Sequence, residues 1–307
     1  MADILKISAL EKSFGEKKVL TGLDMSVPEH SIFGFIGRNG SGKTTTMKAV
    51  LGLIKADAGE IFVCDEQVKF GQTRTNRNIG YLPDVPEFYP FMTPREYLTL
   101  CGEYLTLCGE SLGMKNDEIA KRSAELLEMV GLAGEDRRIK GFSRGMKQRL
   151  GIAQALLGRP RLLICDEPTS ALDPVGRSEV LDILVSLKSE TTVIFSTHIL
   201  SDVERICNEV ALLEKGRIVL GGSIDRLKEL GSAEGFEIKL TQGCDADRLT
   251  ERYTDARRKD ELTLRIVGGE DRKREVLSFL IENRIAIQRV ETLEPSLEAL
   301  FMEVVKK

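Results

Sequence analysis

The sequence predicts an α/β fold around a mostly parallel sheet, followed by a smaller α+β domain. Three stretches carry the prediction. Residues Gly37-Arg38-Asn39-Gly40-Ser41-Gly42-Lys43-Thr44 fit the phosphate-loop pattern G-x-x-x-x-G-K-[ST] without mismatch, between an apolar run at 31–36 and a helical segment at 44–53. Residues 161–167 form an apolar run ending in the adjacent carboxylates Asp166 and Glu167, and residues 193–198 form a second run ending in His198. Short, almost wholly apolar runs of this kind read as strands buried on both faces, which belong to parallel sheets covered by helices.

In chain order, Ile4-Leu5-Lys6-Ile7 and the run at 19–27 read as strands of an antiparallel layer. The strand at 31–36 then delivers the phosphate loop. Its small residues let successive backbone N–H groups turn inward as an anion nest at a helix N-terminus, where the helix dipole also favours phosphate. The loop assigns Gly37, Asn39, Gly40, Ser41, Gly42, Lys43, Thr44 and Thr45 to nucleotide binding. Lys43 is suited to reach the β- and γ-phosphates, and the Thr44 hydroxyl to ligate Mg²⁺.

Between Asp84 and Ser143 the sequence turns helical. Thr93-Pro94-Arg95-Glu96 opens the first helix, with Thr93 as N-cap, Pro94 at the first helical position and Glu96 completing a capping box. Inside it, Glu96-Tyr97-Leu98-Thr99-Leu100-Cys101-Gly102 is followed at once by an identical copy, Glu103-Tyr104-Leu105-Thr106-Leu107-Cys108-Gly109. The repeat reads as a tandem duplication rather than a functional motif. Seven residues add about 10 Å of helix and turn its apolar face by only about 20°. Gly102 and Gly109 each cost roughly 1 kcal/mol relative to Ala, so a bulge or break at the repeat is the alternative.

The strand at 161–167 points its carboxyl end at the nucleotide, because ligands of open α/β sheets bind outside the carboxyl ends of the strands. Asp166 is suited to hold Mg²⁺ through water and Glu167 to polarise the attacking water. Pro168 disfavours the right-handed helical region for Glu167 and helps end the strand there. Two carboxylates on a solvated loop are the bland alternative; a phosphate loop in the same chain weighs against it.

After Gly221-Gly222 the character changes. A helix at 224–230 leads through Gly231-Ser232-Ala233-Glu234-Gly235 into strand 236–240, helix 245–253, strand 261–267, helix 271–283, strand 285–290 and helix 296–305. The expected division is a first domain at 3–222, with a helical subdomain at about 85–142, and an accessory domain at 223–307.

Composition narrows the function classes. The 307 residues, 42% hydrophobic, suffice for one large and one small core. A net charge of −4 and the lack of a basic block give no general attraction to nucleic acid. No apolar run is long enough to span a bilayer and the N-terminus lacks a signal-peptide pattern, so a soluble, intracellular protein is expected. Six cysteines without C-x-x-C spacing and only two histidines, His30 and His198, offer no zinc constellation, and the thiols read as reduced and mostly buried.

Between the phosphate loop and the acidic strand lies Phe142-Ser143-Arg144-Gly145-Met146-Lys147-Gln148-Arg149, which resembles the signature sequence of the ATP-binding cassette ATPases, the motor subunits of ABC transporters. Ser170-Ala171-Leu172-Asp173 is similar to that family's D-loop, and His198 matches its switch histidine, which contacts the γ-phosphate. The resemblance implies a P-loop NTPase cassette in which an antiparallel β subdomain covers adenine and a helical subdomain carries the signature. It implies that Ser143 and Gly145 donate to ATP held by a second cassette, that Asp173 belongs to the shared site, and that Lys43, Glu167 and His198 carry catalysis. Phe14 stands where the family places an aromatic that stacks on adenine, a core position being the alternative.

Two departures from the family pattern stand out. Asp84 ends Ile79-Gly80-Tyr81-Leu82-Pro83-Asp84 where Gln is usual, and is shorter and charged; a contact to Mg²⁺ through water is its expected role. Arg144 and Met146 replace the commoner Gly and Gln of the signature. The resemblance further implies ATP and Mg²⁺ as ligands, transmembrane permease subunits and a second cassette as partners, in a homo- or heterodimer, with no nucleic acid. It implies a cytoplasmic place on the inner face of the membrane. The loop Phe88-Tyr89-Pro90-Phe91-Met92 is then a surface for a coupling helix, or simply a hydrophobic staple for the helix after it. The tail Glu294-Pro295-Ser296-Leu297-Glu298-Ala299-Leu300-Phe301 resembles drug-, lipid- and antibiotic-efflux cassettes of the ABC-2 type and favours export. The rival readings are a soluble cassette acting on ribosomes or DNA and a regulatory cassette with weak catalysis.

Overall fold

The structure, a computed structural model, describes residues 2–107, 115–230 and 235–293, together with Leu297, Leu300 and Phe301. The end of the second heptad copy (Cys108, Gly109), the linker at 231–234 and most of the helix expected at 296–305 lie outside the described residues. Two compact units divide the chain, Met1–Ile224 and Asp225–Lys307.

The first unit begins with strands β1 (Asp3–Phe14), β2 (Lys17–Pro28) and β3 (Ile32–Ile36), helix α1 (Lys43–Val50), and strands β4 (Ala58–Val63), β5 (Glu66–Gln67) and β6 (Ile79–Leu82). Helices α2 (Pro94–Leu107), α3 (Asn116–Met129) and α4 (Arg144–Ala155) follow. It continues with β7 (Leu162–Asp166), α5 (Pro174–Ser186), β8 (Thr192–Thr197), α6 (Leu200–Ile206), β9 (Glu209–Glu214) and β10 (Arg217–Ser223), and α7 (Ile224–Leu230) begins at its last residue.

A six-stranded sheet, ordered β10-β9-β3-β8-β7-β6, is parallel throughout except for β10 at its edge. Every residue of β3, β7 and β8 is buried, which explains the apolar run in each, the polar residues of β7 and β8 standing at the strand ends. The register sets Ile36 beside Thr197, Asp166 beside Ser196 and Leu82 beside Cys165. The loops leaving β3, β6, β7 and β8 therefore emerge along one edge. A second, antiparallel sheet, ordered β2-β1-β4-β5, shares a core with one face of the first: Leu5, Ile7, Leu23 and Val63 pack with Phe33, Phe35, Met47, Leu162 and Ile194. Strand β1 runs well beyond the expected 4–7, because its mostly polar outer half carries little apolar signal, whereas β2 exceeds the expected 19–27 by only a residue or two at each end. Among the described cysteines Cys165 and Cys207 are buried and Cys64 and Cys101 partly so, all as free thiols.

The helical segment opens as its sequence predicts. Thr93 N donates to Glu96 Oε2 at 2.8 Å and Glu96 N donates to Thr93 Oγ1 at 3.3 Å, a reciprocal capping box. Helix α2 is continuous through Gly102, which excludes a break there, and the reason for glycine is proximity: a Cβ would lie 2.5 Å from Ile119 Cγ2 of α3. The two heptads have different surroundings. Tyr97 is 6% exposed, whereas Tyr104, one heptad on and nearly the same face, is 66% exposed. The second copy thus extends α2 past the buried part of the subdomain. Deleting residues 103–109 is expected to leave a folded, nucleotide-hydrolysing chain with a melting temperature within about 4 °C of the parent. Thermal melting and phosphate release would check this; loss of cooperative unfolding would show that the added turns are structural.

The second unit holds β11 (Gly235–Leu240), α8 (Gly243–Arg252), β12 (Arg257–Arg258), β13 (Thr263–Val267), α9 (Glu270–Glu282) and β14 (Ile287–Leu293). Its antiparallel sheet, ordered β12-β13-β11-β14, packs Phe236, Ile238, Leu264 and Ile266 against Ala246, Leu249, Val276 and Leu280 of the two helices. Tyr253 meets Phe279 edge-on at 5.7 Å. This is the α+β arrangement expected, with β12 added; two exposed arginines give no strand signal.

Candidate nucleotide site

A cavity of about 530 Å³ opens where the strand ends converge, lined by Phe14, Val19, Asn39, Gly40, Gly42, Lys43, Thr44, Thr45, Asp84, Asp166, Glu167, Ser170 and His198. Its floor is the phosphate loop. Gly42 is the N-cap of α1 at φ +114, a conformation open to glycine, and no side chain caps the helix or places an acid in its first turn. The free N–H groups of this end suit an anion. The Ser41 hydroxyl is buried without a hydrogen-bond partner, so the loop itself leaves a polar group for a ligand to satisfy.

Lys43 is buried and held over the loop by its own backbone: Nζ donates to Gly37 O at 2.7 Å and Arg38 O at 3.4 Å, and lies 3.1 Å from Glu167 Oε1. Thr44 Oγ1 donates to Asp166 Oδ2 at 2.8 Å. Thr44 and Asp166 are the pair that could hold Mg²⁺, an ion that keeps most of its waters and needs few protein ligands. The uncapped helix, the partnerless Ser41 hydroxyl and this hydroxyl–carboxylate pair all fit a magnesium nucleotide.

Glu167 leaves the sheet in a left-handed conformation, φ +49, unusual for a residue with a side chain and characteristic of strained functional positions. Its N–H is anchored on Ser196, 3.1 Å to the carbonyl and 3.0 Å to Oγ. Its carboxylate bridges Lys43 and His198, whose Nδ1 lies 2.9 Å from Oε2. Ser196 is the residue the sequence reading missed. Its hydroxyl donates to Asp166 Oδ1 at 2.7 Å while accepting from Glu167 N, so one buried serine on β8 fixes the Asp166 carboxylate and the Glu167 main chain. The signal was present: the apolar run of β8 gives way to two hydroxyl residues, Ser196 and Thr197, just before His198.

Other candidates fall elsewhere. Phe14 is 52% exposed at the cavity mouth with Lys12 Nζ 5.3 Å from its ring centroid, which rules out the core position considered for it. Gly37 lies under the loop, where its carbonyl holds Lys43. Asp173 is not on the cavity wall; it caps α5, accepting from Gly176 N at 3.2 Å ahead of Pro174. Ser143 caps α4, accepting from Met146 N at 3.2 Å, and neither it nor Gly145 lines this cavity. A Cβ on Gly145 would meet nothing nearer than Gly176 Cα at 3.8 Å, so packing within the chain does not require glycine there. Asp84 lines the cavity, but its carboxylate accepts from Arg144 Nη2 at 3.2 Å.

A family model described as ABC transporter matches residues 20–170, and one described as ATP-binding protein DrrA1-3-like, C-terminal domain, matches residues 222–305. The bacitracin transport ATP-binding protein BcrA of Bacillus licheniformis is 34% identical over 313 residues, covering 99% of this chain and 98% of that protein. The chain belongs to the ABC transporter ATP-binding proteins. A second relative of this family, the uncharacterized ABC transporter ATP-binding protein YxlF of Bacillus subtilis (strain 168), is 35% identical over 305 residues, covering 98% of this chain and 99% of the relative. Among solved structures, a dimeric post-hydrolysis state of the ATP-binding cassette MJ0796 with ADP and Pi aligns with a TM-score of 0.63 at 25% identity, covering 72% of this chain and 98% of that one. As an ABC cassette the chain binds ATP and hydrolyses it.

Proposed function

We propose that this ABC cassette powers export through separate transmembrane subunits, and that two cassettes close around ATP to do so. The observation that carries the pairing is that one half of the chemistry does not line the cavity that holds the other. The cavity collects the phosphate loop, Asp166, Glu167 and His198, whereas Ser143 and Gly145 stand outside it on an exposed helix end. A glycine that nothing in its own chain crowds is explained if a phosphate from a second cassette must approach its N–H closely.

In this reading Lys43 and the loop N–H groups hold the phosphates, and Thr44 and Asp166 hold Mg²⁺. The metal would offset charge on the β- and γ-oxygens. Glu167 polarises water for attack on the γ-phosphorus, and His198 fixes the Glu167 carboxylate and faces the same phosphate. Phe14 at the mouth offers a ring face to adenine. The test is complementation. Lys43→Ala and Gly145→Asp chains are each expected to be inactive, and their mixture to regain ATP turnover, because the mixed pair retains one site with an intact phosphate loop and an intact signature. No recovery on mixing would place the whole site within one chain.

Export is supported by the similarity to BcrA, a bacitracin transport ATP-binding protein. Among the described residues no helix is long and apolar enough to cross a membrane, so the proposed path lies in partner subunits and this chain docks on their inner face. The aromatic loop is suited to that docking. Phe88 meets Tyr97 edge-on at 5.1 Å and secures the loop to α2, while Tyr89 and Phe91 remain exposed, Tyr89 lining a groove of about 500 Å³ with Tyr97, Leu100 and Tyr104. Phe88 packs against α2, and its neighbours Tyr89 and Phe91 offer the exposed apolar surface that the docking reading requires. Tyr89→Ser with Phe91→Ser is expected to abolish most transport in reconstituted vesicles while ATP turnover of the isolated chain stays within about twofold. Transport at the parental rate would remove this surface from the docking site.

A further inference from the structure

Two of the three positions at which this chain departs from its family's motifs, Asp84 and Arg144, touch each other. Arg144, first residue of α4, donates through Nη2 to Asp84 Oδ1 at 3.2 Å, both side chains being partly exposed. One turn along the same helix face, Gln148 Nε2 donates to the Asp84 carbonyl at 2.5 Å. Helix α4 therefore grips residue 84 twice, once by the backbone and once by the charge. Burial raises the Asp84 carboxyl above its ordinary value; Arg144 opposes this, and Asp166 and Glu167 add to it. The first turn of α4 contains no acid, so Arg144 sits at the positive end of a helix dipole with Asp84 as its counter-ion.

We propose that the Asp84–Arg144 ion pair is a latch that retains the Arg144 guanidinium within its own cassette and opens as cassettes pair, releasing Arg144 to the ATP phosphates of the facing cassette. Arg144 lies between Ser143 and Gly145, so the proposal rests on the paired-cassette reading above. A guanidinium presents a planar fork that matches phosphate oxygens, and the polyphosphate is a stronger counter-ion than one half-exposed carboxylate. The Gln148 contact is to the backbone, so the Asp84 side chain can turn toward its own cavity without shifting the end of β6. The chain then resists pairing until nucleotide is present on both sides.

Sedimentation of the full chain in ATP and Mg²⁺, in a Glu167→Gln parent, tests this. Asp84→Asn keeps the shape, frees Arg144 and is expected to tighten ATP-dependent dimerisation by about fivefold, the upper range for an ion pair this exposed. Arg144→Gln is expected to weaken it by a similar factor. The double variant should match Arg144→Gln alone, since Asp84 acts only through Arg144. A purely structural ion pair would move both single variants the same way, and that result overturns the latch. Failure of the Glu167→Gln parent itself to dimerise would overturn the paired-cassette reading, and the latch with it; a parent that dimerises while the two single variants do not shift in opposite directions overturns the latch alone.

Discussion

Glu167→Gln is expected to lower ATP turnover by about 10²-fold or more while leaving the ATP dissociation constant within a few-fold of the parent. The substitution keeps the volume and one acceptor oxygen of a side chain that bridges Lys43 and His198. What disappears is the charge that draws a proton from water, and a positioned base contributes on the order of 10²–10⁴ in rate. Because the Glu167 main chain is fixed by Ser196 through two contacts, the amide should occupy the same place. Steady-state phosphate release and equilibrium nucleotide binding, measured on one preparation, separate the two effects. Turnover within tenfold of the parent would remove Glu167 from the chemical step.

Lys43→Ala should act on binding instead. Its ammonium is buried and already held by two loop carbonyls, so little ordering remains to be done when a phosphate arrives. Removing one partner of a buried, charged contact costs about 2–5 kcal/mol, which corresponds to ATP affinity lower by about 30-fold to several thousand-fold. The nucleotide-free fold should survive, since Glu167 keeps the His198 contact after losing Lys43. Calorimetric titration with ATP and thermal melting without it would check both halves. Unchanged affinity in a normally folded variant would deny Lys43 any contact with phosphate.

The difference between what was legible and what was not follows the range of the interactions. The phosphate loop, the acidic strand and the cap of α2 are local patterns, complete within a few residues, and they were readable as such. The convergence of the first two on one cavity was also foreseeable, since parallel strands release their loops along a common edge. Ser196 was visible as a residue but not as a partner, because its role depends on lying beside Asp166 in the adjacent strand. The contact of Asp84 with Arg144 spans 60 residues and depends on how α4 lies against the end of β6. Read singly, each looked like a defect in a motif. Asp173 shows the opposite case, a residue assigned by resemblance to a shared site that in its own chain serves a helix terminus.

The parallel register also sets how the chain can change length. Asp166 and Glu167 are consecutive, and each faces its own partners only because Leu162, Leu163 and Ile164 stand opposite Thr192, Val193 and Ile194. One residue inserted into β7 ahead of the carboxylates would move both one place along, set Cys165 where Asp166 now meets Ser196 and Thr44, and turn the shifted side chains of the strand to the opposite face. Helix α2 carries residues 103–107 of the second heptad copy, and a seven-residue repeat turns a helix face by only about 20°. Variation in length is therefore expected at the outer end of α2, where Tyr104 is exposed, rather than in β7, where the register sets each carboxylate against its partner.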